Sequence, residues 1–547
     1  MTNNNKPHLS LLIVLFLFVS TFANANANDF KLPSVENILE SNSEIQNQSS
    51  IKIEKIVFSG NHNFSDEILQ KLAKPYEKRL VSSEELETLR QNITKLYVEN
   101  GYINSGAIIP NQGVNNGVVN IAIIEGKLSN IRITGNNSLQ SDYIYQRLAL
   151  NSGSILNVND IQQRIQVALQ SPLIDKINAQ LIPGNKPGEA ELLATVKEGK
   201  PYEAGITLDN RISPSVGEVR TSVYGSILSL TGYSDTLSAN MGYAEGLTNY
   251  GLIYNFPLFN TATRFETYYN FANAEIIEQS ISNNIDISSR TWTSGFKFIL
   301  SSDKSINQKL KLSVGIERRF SKTLFDDEGV PLTPGIEPDG ESHITALRIS
   351  QDILFRNRKQ VFAMRMTLSY GLNALGSTQN ENHQPSSDFH KVLGQAQFAQ
   401  QFFANRDQLV IRLDGQLAQS GLLPMEQFGI GGRLSIRGYR ENQLLRDNGY
   451  AASIEYRITT PVAFDSFKRR RLQTVMFVDT GGAWYDQINR NNRKFIRLTS
   501  AGLGFRWEIL KRLDTQFYWA YAFNSVDTSN DNSIQDHGIH FSLQYSL

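Results

Sequence analysis

The feature that most constrains this chain is alternation. From Glu203 to Leu547, segments of about ten residues place apolar and polar side chains in turn, separated by stretches rich in Gly, Asn, Asp and Ser. KLKLSVGIERR sets Leu310, Leu312, Val314 and Ile316 on one face of a strand and Lys311, Ser313, Gly315, Glu317 and Arg319 on the other. VFAMRMTLSYGL, AASIEYRIT and LDTQFYWAYAF do the same. A soluble sandwich also alternates, but two features favour a membrane barrel. The segments have the length of a tilted membrane strand. Their polar faces carry charges in strand after strand, which suits a wet lumen. Tyr269, Trp484, Trp507 and Tyr521 read as interfacial girdles near strand ends. About 16 such segments fit between Glu203 and Leu547, an even number as expected of an antiparallel transmembrane barrel, with room for long loops on one side. The last segment ends in Leu547, not in the aromatic residue that closes many outer-membrane barrels.

Composition supports this reading by exclusion. The 53 basic and 53 acidic side chains balance, which argues against nucleic-acid binding. The chain has 0 cysteines, which removes disulfide scaffolds, cysteine-ligated zinc, iron–sulfur clusters and thiol nucleophiles. The hydrophobic content of 40% is what one lipid face and one wet face average to. Residues 1–27 read as a cleaved signal peptide: Lys6, an apolar core from Leu9 to Phe22, and small-x-small sites at Ala23–Ala25 and Ala25–Ala27. That core is shorter than the ~20 apolar residues of a spanning helix. Residues 28–50 form a short N-terminal segment. A helix from Pro33 to Ser41 would be about 13 Å long, short for a plug across a ~30 Å core.

Between the signal and the barrel lie two copies of one unit, 51–127 and 128–200. Each opens with a strand ending in Gly-Asn (Gly60-Asn61, Gly135-Asn136) and closes with one ending in Glu-Gly (Glu125-Gly126, Glu198-Gly199). Period two breaks at Lys55 in the first copy. Ser82 or Ser83 caps a helix with the stripe Leu86, Leu89, Ile93, Leu96 and Tyr97, stopped by Gly101. Asn159-Asp160 begins its equivalent in the second copy. The order β-α-α-β-β describes a small α+β unit. GYINSGAIIPNQGVNNGVVNIAIIEGKL (101–128) and LIPGNKPGEAELLATVKEGKPY (181–202) resemble the paired POTRA domains of two-partner secretion transporters, the TpsB family of haemolysin and filamentous-adhesin exporters. Pro110 with Gln112, and the turn formed by Pro183, Gly184, Pro187 and Gly188, carry that resemblance.

A second pair of motifs extends it. EQFGIGGRLSIRGYRENQLLRDNGY (426–450), between the eleventh and twelfth segments, contains Ile436-Arg437-Gly438-Tyr439. This resembles the (V/I)RG(Y/F) signature loop of the POTRA-barrel superfamily. Phe477-Val478-Asp479-Thr480-Gly481 resembles its partner motif on the barrel wall, FxDxG. Alternation puts Phe477, Asp479 and Gly481 on the lumen face, and Met476 and Val478 on the lipid face. A lumenal carboxylate and a guanidinium need partners or water, and a bidentate contact would fix a folded-in loop to the wall. Gly438 would allow a tight turn and Gly481 room for the loop. The resemblance implies that Arg437 and Asp479 hold the conductive conformation.

Other candidates are weaker. His537 and His540 would fall on opposite faces of a strand, so a metal site is not expected. Lys468 to Arg471 reads as a solvated turn. No HExxH or P-loop appears, nor GxSxG between strand and helix. The resemblance implies no cofactor and no enzyme activity. It implies an exporter of one large partner protein bearing an N-terminal secretion domain, embedded in outer-membrane lipid after insertion by the barrel assembly machinery, with its POTRA domains in the periplasm and no nucleic-acid or nucleotide partner. The alternatives are an outer-membrane assembly factor of the same superfamily, which would usually carry more POTRA repeats, and a passive porin, which would not need residues 51–199.

Overall fold

The computed structural model describes residues 50–547 apart from 115, 151–153, 259–261, 279–285, 303–304, 381–383, 403–405, 464–468, 487–494, 511 and 527–531. The expected signal peptide and the 33–41 helix lie outside the described residues. The chain forms two compact units that meet in sequence at Lys200 and Pro201.

The first unit is built from the two repeats. In the first, β1 (Ile51–Ile53) pairs with β3 (Arg79–Val81), and β2 (Lys55–Ser59) lies parallel to β5 (Val118–Ile124), with β4 (Gly106–Ile108) antiparallel on its other side. The phase break has a structural cause: at Glu54 the chain leaves one sheet and enters another, and the Glu54 amide bonds the Gly117 carbonyl at 2.8 Å. Helices α1 (Asp66–Ala73) and α2 (Ser83–Glu99) cover the sheet. Ser82 caps α2 through a reciprocal box: its hydroxyl accepts from the Glu85 amide at 3.2 Å, and the Glu85 carboxylate accepts from the Ser82 amide at 2.9 Å. Leu89, Ile93 and Tyr97 meet Ile53, Ile56, Leu69 and Ile121 in a core closed to solvent.

The second repeat has the same plan: β6 (Lys127–Thr134), α3 (Ser141–Leu148), α4 (Val158–Ala168), β7 (Ile174–Pro183) and β8 (Glu189–Glu198), with β8 central, parallel to β6 and antiparallel to β7. Helix α4 starts slightly earlier than Asn159-Asp160 because Asn157 is the cap; its side chain accepts from the Asn159 amide at 2.9 Å. The repeats are stitched helix end to helix end. The Val158 amide donates to the Gly101 carbonyl at 3.0 Å, and the Asn157 side-chain amide donates to the Asn100 carbonyl at 3.0 Å. The free carbonyls at the end of α2 are thus answered by the start of α4.

The Gly-Asn and Glu-Gly pairs that mark each repeat meet in space. Glu125 accepts from the His62 amide at 2.9 Å and the Asn63 amide at 2.8 Å. Glu198 accepts from the amides of Asn137, Ser138 and Leu139 at 2.8–3.1 Å. Burial of the Glu198 carboxyl opposes its charge, yet those amides outweigh it and hold the group below its ordinary value.

The second unit is a closed antiparallel barrel of sixteen long strands. They are β9 (Tyr202–Asp209), β10 (Arg220–Leu228), β11 (Thr236–Ala244), β12 (Leu247–Pro257), β13 (Thr263–Glu275), β14 (Ile287–Ser302), β15 (Gln308–Phe325), β16 (Glu341–Arg356), β17 (Gln360–Leu372), β18 (His390–Phe402), β19 (Asp407–Ala418), β20 (Asn448–Ala463), β21 (Arg469–Trp484), β22 (Ile496–Leu510), β23 (Leu513–Ala522) and β24 (Ile539–Ser546). A two-residue piece, Glu328–Gly329, folds back on β15, and β24 closes on β9. Connections such as 229–235 and 357–359 at one end are short; 326–340, 373–389 and 419–447 at the other are long. Leu310, Leu312, Val314 and Ile316 are exposed outside, whereas Glu317 and Arg319 are buried inside, so the pleat sorts the side chains as the alternation predicts. Among the described residues no helix is long and apolar enough to cross a membrane; this unit would cross with strands.

Two expectations are corrected. Tyr269 stands at the centre of β13, not at a strand end. Arg469 to Arg471 open β21, with Arg471 registered to Pro461, so they continue the ladder in place of a turn; Lys468 lies outside the described residues.

Glu198→Ala should strip three amides of their acceptor and destabilise the first unit by about 1–2 kcal/mol. Among the described residues the α-helices belong to this unit, so urea unfolding followed by helical circular dichroism reads it. Because the folded carboxyl is held low, the Glu198 contribution is present above the unfolded pKa and is lost as pH falls through the folded one; variant and parent should converge in acid.

Candidate functional site: a loop latched inside the barrel

The connection 419–447 leaves β19 and returns to β20 as a folded loop, not an open one. Its arms pair as a short ribbon, Phe428–Ile430 against Leu444–Arg446. Ile430, Ile436, Tyr439 and Leu444 pack on Ala451, Ala483 and Leu498 of the wall. Small wall residues admit the loop. A Cβ on Gly481 would stand 2.5 Å from Ile436 Cδ1 and 2.5 Å from the Tyr450 carbonyl oxygen. Gly438 turns at φ +91°, where an L side chain is strained, and a Cβ there would approach Ala520 Cβ at 3.1 Å.

At the tip, Arg437 is 2% exposed and Asp479 on β21 is 0% exposed. Arg437 Nε and Nη2 donate to the two Asp479 carboxylate oxygens at 2.7 Å each, and the Arg437 amide adds a third bond at 3.0 Å. Nη1 donates to Glu455 at 2.7 Å and Nη2 to the Ser453 hydroxyl at 3.0 Å, both on β20. The guanidinium carbon lies 3.5 Å from the centroid of the Phe477 ring, so Phe477 supplies a stacking face beside the carboxylate. Glu455 also accepts from Arg457, which makes a neutral set of two arginines and two carboxylates. The Gly438 amide donates to His540 Nε2 on β24 at 3.1 Å, and the Tyr439 hydroxyl donates to the Thr499 carbonyl on β22 at 2.9 Å. The residues of both motifs therefore meet at one site. Met476 and Val478 face outward and are exposed.

Sequence reasoning missed the other half of the attachment. Glu426, at the start of the loop, is 1% exposed. Its carboxylate lies 2.5 Å from Arg348 on β16, 2.8 Å from Lys391 on β18 and 3.4 Å from Arg319 on β15. Glu317 on β15 shares Arg319 at 2.8 Å and Arg348 at 3.1 Å. Three cations thus face two carboxylates, one of them from the loop. Nearer the tip, Arg440 is held by Asp536 at 2.6 Å and Glu278 at 2.8 Å, both in other connections. The one sequence signal for Glu426 was an excess of inward cations on neighbouring strands, readable only once their register is known.

The remaining predicted residues lie in the first unit. Gln112 mimics a strand: its side-chain amide donates to the Asn120 carbonyl at 2.6 Å and accepts from the Asn120 amide at 2.9 Å, beyond the end of β4 near Pro110. Pro183 ends β7, and the Gly184 amide donates to the Glu189 carbonyl at 2.9 Å across a hairpin that contains Pro187. The Gly188 carbonyl accepts from Asn104 of the first repeat at 3.0 Å, so this turn joins the repeats. These residues and the loop residues fall in separate units. His537 lies in the turn before β24, not on the strand opposite His540. Among the described residues no group of three or more His, Asp or Glu is placed to hold a metal.

A closed sixteen-stranded barrel with a latched lumenal loop, preceded by two α+β repeats, defines an outer-membrane POTRA-barrel protein. The chain belongs to the haemolysin secretion/activation protein family ShlB/FhaC/HecB, whose model matches residues 188–507; a POTRA domain of ShlB type matches residues 51–126. It is similar to the heme/hemopexin transporter protein HuxB of Haemophilus influenzae strain 86-028NP, 22% identical over 510 residues that cover 88% of this chain and 84% of that one. It is similar to the outer membrane transporter CdiB of Dickeya dadantii, 22% identical over 390 residues, 68% of this chain and 66% of that one. The solved CdiB from Escherichia coli shares the fold at a TM-score of 0.69, with 18% identity and 93% of each chain covered. The chain is an outer-membrane transporter of the two-partner secretion type, and its POTRA region sits in the periplasm.

Glu426→Gln should leave Arg319, Arg348 and Lys391 against a single carboxylate and cost about 3–5 kcal/mol. The barrel should then lose its compact electrophoretic form at a lower temperature, and the 419–447 loop should become open to trypsin.

Proposed function

We propose that this protein exports one large, mostly β, exoprotein of haemolysin or adhesin type from the periplasm to the cell surface. Residues 51–127 and 128–200 act as two POTRA units that receive the N-terminal secretion domain of the partner, and 201–547 is the conduit in outer-membrane lipid, inserted by the barrel assembly machinery. The observation that carries the reading is the Arg437–Asp479–Glu455 latch, a loop bound to the lumen wall by charges that a passive channel would not need. Arg437, Gly438 and Tyr439 seat the loop, while Phe477, Asp479 and Gly481 form its seat. The latch holds the conductive arrangement of the wall.

The repeats support the periplasmic role. Pro110 with Gln112, and Pro183, Gly184, Pro187 and Gly188, set turns that give the two sheets their edges and join them as one body. An edge such as β7 can add an extended cargo strand by main-chain bonds that tolerate varied sequence. Folding of the cargo outside gives the passage its direction.

Comparison of secreted proteins from cells with and without the gene should show the loss of one large protein, with other outer-membrane barrels at normal levels. General loss of barrels would favour the assembly-factor alternative. Deleting residues 51–199 should stop export while the purified barrel remains folded; continued export would refute the role given to the repeats.

A further inference from the structure

The seam where the barrel closes is its thinnest junction. Strands β9 and β24 pair over five residues, Ser542↔Asp209 to Ser546↔Gly205, against seven between β23 and β24 and eight between β9 and β10. Backbone pairing stops at Asp209, and the side chain of Asn210 takes over. Its Oδ1 accepts from the Phe541 amide at 2.9 Å, and its Nδ2 donates to the Ile539 carbonyl at 2.9 Å. One side-chain amide thereby extends the ladder past the end of β9.

The backbone of Asn210 is in turn tied to the loop through Gln535, in the connection before β24. The Asn210 carbonyl accepts from Gln535 Nε2 at 2.9 Å, and the same nitrogen donates to the Ile212 carbonyl at 2.8 Å. Gln535 Oε1 accepts from the backbone amide of Glu441 at 2.8 Å, four residues beyond Arg437. Both Asn210 and Gln535 are 0% exposed. The orientation of Gln535 follows from its neighbours: two carbonyls face its nitrogen and one N–H faces its oxygen, and a flip would break all three bonds. A second link runs beside the first, from the Gly438 amide to His540 on β24.

We propose that Gln535 and Asn210 are positioning residues that couple the latched loop to the closing seam, so that the loop cannot leave its seat without loosening the outer end of the β9–β24 pairing. Loop position and barrel closure then form one two-state element, biased from either end. The idea gains its purpose from the transport reading, but the coupling itself is a property of the barrel and is tested apart from export.

Hydrogen exchange on the purified full-length protein in detergent reads it. Gln535→Leu should speed exchange about tenfold, a usual size for coupling between sites, both in loop residues 431–445 and at 539–541, while the inner seam pairs at 543–546 keep their protection. Coupling is reciprocal, so Arg437→Ala, which frees the loop tip, should also speed exchange at 539–541. If Arg437→Ala exposes the loop and leaves 539–541 at the parent rate, the seam does not sense the loop and the proposal is wrong. Should Gln535→Leu fail to fold, Gln535→Glu keeps the acceptor for Glu441 and removes the donors to Asn210 and Ile212. It should speed exchange at 539–541 and, because the loop bond to Glu441 is kept, any faster exchange in 431–445 reports the coupling; a released seam with the loop at the parent rate would overturn it.

Discussion

The seating of the loop tip in the barrel depends on satisfying one buried guanidinium. Arg437 cannot lose its charge, and inside the barrel it needs acceptors in a fixed plane. Asp479, Glu455 and Ser453 provide them from two adjacent strands, and Phe477 provides the face on which the guanidinium stacks. Each partner must be inward, at matching height and close to the loop. That requirement explains why Gly481 has no side chain to exclude Ile436, and why Glu455 is itself balanced by Arg457.

A single contact would let such a loop pivot. The loop is held instead at its base by Glu426 against cations of β15, β16 and β18, at its tip against β20 and β21, and past the tip by Arg440 and Glu441. The periplasmic repeats use the same economy on a smaller scale. One carboxylate in each, Glu125 or Glu198, gathers the amides of the turn that follows the first strand of its sheet. A single side chain organises irregular backbone in each case, because amides left without acceptors are costly.

The barrel was legible in the sequence because the period of side chains along a strand is the period of the hydrophobic pattern. The inward face of Asp479 and the outward face of Val478 follow from that rule alone. The capped helix at Ser82 was legible for a similar reason, since the cap is local. Contacts across the lumen were not. Glu426 meets Arg348 and Lys391 only after strand register, closure and loop insertion are set, and none of these has a local signature. Asn210 and Gln535 are 325 residues apart and look like ordinary loop amides. Asn157 does not stand out as the cap because Asn159-Asp160 offers a similar pattern close by. The mid-strand height of Tyr269 has no sequence signal, because an aromatic residue in a strand does not disclose its height along it.

The central claim is that Arg437 and Asp479 act as one unit in transport. The direct measurement is a double-mutant cycle on export, using Arg437→Ala, Asp479→Ala and the pair together, with barrel folding verified by heat-modifiable mobility. The account predicts that each single change lowers export to about the level of the double change, because removing either partner removes the latch. Export at the parent level in folded Arg437→Ala, or losses that simply multiply in the double variant, would contradict it.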